Sequence, residues 1–211
     1  MYFKLLTIKK MNFFIRLLIL CALFFMQSCV VQKDMKHLMS ANYLLDLKNT
    51  KTSLSQNIQK DKPYVVIFIA TDCPICQRYV SILRGIADTF QDIKFIMVFS
   101  KWETLDDIKT FKENFIIDEV SRSHPVIITL LQDTQNTFIK NLKATTTPEA
   151  FFYDINHKLQ YRGAIDNWFF ALGRYRPQAT EHYLKNALTQ YLKNEKISVS
   201  KTNPIGCLIE Y

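Results

Sequence analysis

Residues 64–90, YVVIFIATDCPICQRYVSILRGIADTF, limit what this chain can fold into more than any other stretch. The stretch opens on an unbroken apolar run at 65–70, whose length and β-branching suit a strand buried on both faces. A turn through Thr71 and Asp72 then leads to Cys73 and Cys76, and Ile75, Tyr79, Ile82, Leu83, Ile86 and Phe90 recur at the spacing of one helix face. Cysteines three apart at a helix N-terminus can close a disulfide with little backbone movement. The first also meets unpaired N–H groups and the positive end of the helix dipole, which favour its thiolate. Pro74 sits in the first turn, where its missing N–H costs nothing. This pattern predicts a redox site in which Cys73 is the solvent-reachable nucleophile and Cys76, one turn inward, resolves the mixed disulfide.

The N-terminus has a different character. Lys9, Lys10 and Arg16 precede an apolar run at 17–26, followed by Gln27, Ser28 and Cys29, the arrangement of a secretory signal. That run is shorter than the roughly 20 residues a spanning helix needs. The expected organisation is a signal peptide of lipoprotein type over 1–28, a polar tether over 29–41, a globular domain over 42–195 and a tail over 196–211 that carries Cys207. The segment to be removed holds four of the 27 basic residues and no acid, so with 19 acids the excess falls from +8 to +4. A scattered excess of that size, without a basic block, gives no footprint for nucleic acid. Cys29, Cys73, Cys76 and Cys207 remain after cleavage, too few for a disulfide scaffold, so the pair at 73 and 76 reads as reactive.

Around the central stretch the chain alternates strand and helix patterns. Residues 42–48 suggest a first strand, 52–59 a helical turn and 93–99 a second buried strand. Thr104 can cap a helix carrying Ile108 and Phe111, with Asp106 and Asp107 early enough to suit its dipole. Residues 125–131 are a short β-branched run, 133–142 a helix, 149–154 and 159–165 a hairpin, and 181–194 a last amphipathic helix. The order implies an α/β domain whose sheet mixes parallel strands with an antiparallel hairpin.

C-P-I-C after a buried strand, Thr147-Pro148 before a hairpin and a final packed helix together resemble the thioredoxin fold, a three-layer α/β architecture with a central mixed sheet flanked by helices. FIATDCPICQRY and TTTPEAFFYD are similar to its redoxin branch, the alkyl hydroperoxide reductase and thiol-specific-antioxidant relatives, and the ending Gly206-Cys207-Leu208-Ile209 resembles tails found there. The resemblance implies that Pro148 is cis and faces the cysteine pair, and that the Thr147 backbone pairs with an extended substrate. It also implies that a tail cysteine, here Cys207, can act as a further thiol. Two positions depart from the family pattern. Thioredoxin's buried acid, six residues before the first cysteine, is replaced by Ile67, and the Thr or Ser that peroxiredoxins place three before the peroxidatic cysteine is Ala70. Residues 26–29 resemble a lipobox, with Met and Gln as departures; the resemblance implies a signal of lipoprotein type with Cys29 lipidated, the alternative being an uncleaved anchor or an ordinary signal with an incidental cysteine.

These readings converge on a membrane-anchored thiol–disulfide oxidoreductase of the cell envelope, facing the periplasm or the outer surface. It would exchange with protein thiols and disulfides and need no cofactor. The alternatives are a redoxin-type thiol peroxidase, with Cys73 peroxidatic and Cys76 or Cys207 resolving, and a copper-binding chaperone using both thiolates and His124. Half of a zinc site is a further reading of C-x-x-C, but no second close pair accompanies it, and no metal site is assigned. Cys207 reads either as a third redox thiol or as a small buried hydrophobe.

Overall fold

A computed structural model of the chain describes residues 39–40, 44–116 and 128–210. The chain divides into two compact units, Met1–Met39 and Ser40–Tyr211, and every element below lies in the second. Cys29 and His124 fall outside the described residues, as does the start of the strand expected from 125.

The residues between 64 and 68 have no exposed face, and that dictates their place. Strand β3 (Tyr64–Phe68) is buried at every position and lies mid-sheet. It pairs parallel with β4 (Lys94–Phe99) and antiparallel with β7 (Glu149–Tyr153). Beyond β4 come β5 (Ile128–Asp133), in parallel, and then the short antiparallel strands β1 (Leu44–Leu45) and β2 (Lys51–Thr52). Beyond β7 the antiparallel strand β8 (Leu159–Gly163) completes the order β2-β1-β5-β4-β3-β7-β8. Period-two alternation sends Val65 and Ile67 to one face and Val66 and Phe68 to the other.

Helices cover both faces. Helix α1 (Leu54–Asn57) is one turn, fixed by a capping box between Ser53 and Gln56. Helix α2 (Pro74–Thr89) lays Ile75, Tyr79, Val80, Leu83 and Ile86 into the core cluster that holds Val65 and Ile67. Helix α3 (Leu105–Phe111) starts at Thr104, whose hydroxyl accepts from the Asp107 N–H and whose own N–H donates to the Asp107 carboxylate. On the opposite face α4 (Thr137–Leu142) sets Phe138 against Phe68, its first turn held by Asp133, which accepts from the N–H groups of Thr137 and Ile139. The last helix, α5 (Tyr183–Leu192), joins the α2 face through Leu184, Ala187 and Leu188. This is the three-layer, thioredoxin-like arrangement expected from the sequence. Leu83 is fully buried between α2 and the sheet. Leu83→Ala is therefore expected to cost about 2–5 kcal/mol in urea unfolding, and a smaller loss would mean that α2 is not clamped by its apolar side.

The aromatic residues after β8 pack as a group, with Trp168, Phe169 and Tyr175 around Tyr79, whose hydroxyl donates to Asp166 at 2.5 Å. Strands β9 (Phe169–Ala171) and β10 (Arg174–Tyr175) form the hairpin beside them. Arg78 places its guanidinium over the Tyr175 ring, 4.8 Å from its centroid. Among the described residues no helix is long and apolar enough to cross a membrane.

The tail is part of this unit. After α5 it runs along β8, where Arg162 N–H donates to Ser200, Thr202 N–H donates to Arg162, and the Thr202 hydroxyl accepts from Ala164 N–H. Gly163, at φ +135, lets Thr202 come so close that a Cβ would overlap it. The tail then crosses the sheet end and forms β11 (Cys207–Leu208), antiparallel to β6 (Thr146–Thr147).

Candidate active site

Helix α2 begins where the central strand leaves the sheet, and that junction fixes both sulfurs. Cys73 is the N-cap, in extended conformation at φ −81 and ψ 112, and Pro74 follows in the first turn. Cys76 lies inside that turn, fully buried, with its Sγ 3.5 Å from the donating Ala70 N–H. Opposite stands the end of β6. The Thr147-Pro148 peptide is cis, and Cys73 Sγ lies 3.6 Å from the Thr147 carbonyl oxygen, to which it donates only when protonated. Cys207 pairs in register with Thr147, which brings a third sulfur to the same point. All three cysteines are free thiols.

Their electrostatics separate them. The Cys73 pKa is lowered from 9.0 to about 5, chiefly because the Cys76 thiol donates to its thiolate, against the opposing effect of burial; the Cys207 thiol adds a further donor. Burial drives the Cys76 thiol well above its ordinary value, and the neighbouring Cys73 charge adds to this. Cys207 is pushed up to about 12, first by burial and then by its role as donor to Cys73. One thiolate is thus held by two neutral thiols, a charge-assisted arrangement.

Access differs from the sequence expectation. Cys73 is 1% exposed, although its position at a helix mouth predicted a solvent-reachable nucleophile. The physical reason is β11. The tail strand takes the edge of β6 directly opposite Cys73, and of the three thiols Cys207 alone is more than marginally exposed. Gly206 permits this approach, since a Cβ there would stand 2.0 Å from the Thr147 carbonyl oxygen.

A cavity of about 540 Å³ opens beside the site. Its walls include Thr71, Asp72, Trp102, Glu103, Cys207 and Leu208. Glu103 is 8% exposed, and burial raises its pKa, while hydrogen bonds from Thr71 oppose the rise. The Thr71 hydroxyl donates to Glu103 Oε2, so it is already engaged. Across the site Glu149, directly after Pro148, is buried and paired with Arg162, whose Nη2 donates to Oε1 at 2.6 Å. Sequence patterning did not single out Glu103, Glu149 or Arg162. Their partners lie 32 and 13 residues away in the chain, and no periodicity links such positions. Ile67 is fully buried on β3, so the position of thioredoxin's acid is apolar here. Among the described residues no group of three or more His, Cys, Asp or Glu side chains is arranged to hold a metal ion.

Comparison with known proteins finds the same fold elsewhere. A hypothetical protein from Sinorhizobium meliloti superposes with a TM-score of 0.65 at 22% identity, covering 82% of this chain and 92% of the other. An uncharacterized conserved protein from Geobacillus kaustophilus gives 0.65 at 18%, over the same shares of 82% and 92%. DsbF from Mycobacterium tuberculosis, solved in mixed oxidized and reduced forms, gives 0.51 at 18%, over 72% of this chain and 94% of the other. These likenesses concern the fold. No curated protein sequence matches. The family model for AhpC/TSA matches residues 33–162, which span the C-P-I-C helix and the Thr147-Pro148 loop, and on that match the chain belongs to the AhpC/TSA family of redoxins, typically thiol oxidoreductases, on a thioredoxin-like fold.

Proposed function

We propose that the protein is an extracytoplasmic thiol–disulfide oxidoreductase, anchored to the membrane through a lipid on Cys29, that exchanges disulfides with partner proteins through Cys73 and Cys76. The observation that carries this reading is the pairing of a stabilised Cys73 thiolate with a buried neutral thiol at Cys76, beside the Thr147 edge. A low-pKa thiolate is a good leaving group, and the inner thiol is placed to close the internal disulfide. Envelope location and lipidation are supported by the signal-like pattern over 1–28 and the cysteine, Cys29, that follows it. Peroxidase chemistry draws less support, because position 70 is Ala and the Thr71 hydroxyl is committed to Glu103.

The test is exchange with a fluorescent dithiol peptide by purified protein, with peroxide consumption measured in parallel. Wild type is expected to exchange rapidly and Cys73→Ser to fall to the uncatalysed rate, with little peroxide turnover. Fast peroxide consumption without peptide exchange would replace this reading with the peroxidase. Anchoring predicts fatty-acid incorporation in cells that disappears in Cys29→Ser.

A further inference from the structure

We propose that Cys207 is the sulfur partners meet, the tail strand standing permanently where a substrate strand would lie and passing disulfide character between the partner and the buried pair. The inference rests on the oxidoreductase reading and says which atom of the site faces outward.

Three observations lead to it. First, the edge of β6 beside the cysteines is already occupied. Cys207 and Leu208 pair antiparallel with Thr147 and Thr146, and Ile209 N–H continues the ladder by donating to the Thr145 carbonyl. An extended partner cannot add to that edge while β11 holds it. Second, the tail is secured on both sides of Cys207. Upstream it is hydrogen-bonded to β8, and downstream the Glu210 carbonyl accepts from Asn136 Nδ2 at 3.1 Å and from Trp102 Nε1 at 3.4 Å. Third, Cys207 lines the 540 Å³ cavity, and neither Cys73 nor Cys76 does. The cavity rim carries exposed Trp102 and Leu208, 63% and 82% accessible, on which an extended peptide can rest.

The exchange balances as follows. In the oxidised protein Cys207 Sγ attacks Cys73 Sγ as its proton passes to the departing Cys76, so that a Cys73–Cys207 bond forms, the Cys73–Cys76 bond breaks and Cys76 leaves as the neutral thiol. A partner thiolate then attacks Cys207 Sγ from the cavity, and Cys73 departs as the thiolate that Cys76 stabilises. The partner's second thiolate attacks the partner sulfur of this mixed disulfide and releases Cys207. The partner dithiol loses two electrons and two protons; the Cys73–Cys76 pair gains both electrons and one proton, ending as the Cys73 thiolate and the Cys76 thiol, and the other proton goes to solvent. A second protein disulfide, acting on the reduced site by the reverse steps, restores the oxidised pair. Attack at Cys207 satisfies both requirements of exchange, since the attacked sulfur is accessible and the departing one has the lowest pKa of the three.

The test uses full-length Cys76→Ser, oxidised with diamide, in which a Cys73–Cys207 disulfide is expected by peptide mapping. Addition of a peptide with one cysteine, an acid quench and alkylation should leave the peptide on Cys207 and the alkyl group on Cys73. The peptide on Cys73, or failure of the Cys73–Cys207 bond to form, overturns the inference. A second variant moves the tail without removing a thiol. Gly206→Ala drives a Cβ into Thr147, and displacing the attacking sulfur is expected to slow exchange with a dithiol peptide on the order of 10²-fold while alkylation of Cys73 speeds up. Unchanged or faster exchange would show the tail to be a plug and Cys73 the contact. If wild type fails to exchange at all, the oxidoreductase reading falls. If it exchanges with the peptide found on Cys73, only the role of Cys207 falls.

Discussion

Titrating the reduced protein by its thiolate ultraviolet absorbance, with Cys73→Ser as the blank, is expected to show one thiolate appearing at a midpoint of about 5. The partners of Cys73 set the consequences. Cys76→Ala removes the strongest donor to the thiolate and is expected to raise the midpoint most, and Cys207→Ala raises it less. Linkage gives the sign for stability. The folded pKa of Cys73 lies below its ordinary 9.0, so the stabilisation is fully present above about 9 and is lost as pH falls through about 5. Cys76 and Cys207 are displaced upward, so what they contribute is present below 9.0 and is lost as pH rises toward and beyond their folded values, about 12 for Cys207. Urea midpoints of the reduced protein should therefore climb from about 5 toward 9 and decline beyond it. A thiolate midpoint near 9 would remove the electrostatic basis of the site.

That prediction could not have been framed from the sequence, and the reason is geometric. Local pattern carries local structure. The run before Cys73, the helical spacing after it, the Thr104 cap and the hairpin through His157 all appear in the fold because each depends on residues a few positions apart. The cysteine pair belongs to this class. Cys207 does not. Whether it reacts or packs depends on where the tail runs, and that is set by Thr202 against Gly163 and by Gly206 against Thr147, close approaches that leave no periodic trace. The expected exposure of Cys73 failed for the same reason, since a helix N-terminus is open only if no other segment crosses it. The buried acids were equally hidden, because Glu149 beside an apolar strand reads as a solvated edge until Arg162 is found, and Glu103 until Thr71 is.

Arg162→Met is expected to destabilise the protein by about 3–5 kcal/mol, the cost of leaving a buried carboxylate without its cation. Glu149 is 1% exposed and receives Arg162 Nη2 at 2.6 Å and Nε at 3.2 Å on one oxygen, while the other accepts from the Thr145 N–H. The guanidinium also donates to the Lys143 carbonyl and lies 4.6 Å from the Phe151 ring centroid. Arg162→Lys keeps the charge but loses the planar fork and the stacking, so it should recover only part of the loss. Glu149→Leu combined with Arg162→Met should be milder than the sum of the single changes, with a coupling of about 0.5–3 kcal/mol, because neither charge is then left alone. The effect extends to the redox site through the backbone. Glu149 tethers Thr145, one residue before the strand that presents Thr147 to Cys73 and accepts the tail. Loosening that tether is expected to slow peptide exchange even at temperatures where Arg162→Met remains folded. A stability loss of about 1 kcal/mol or less, typical of an exposed pair, together with unchanged exchange, would show that this ion pair neither holds the core nor positions β6.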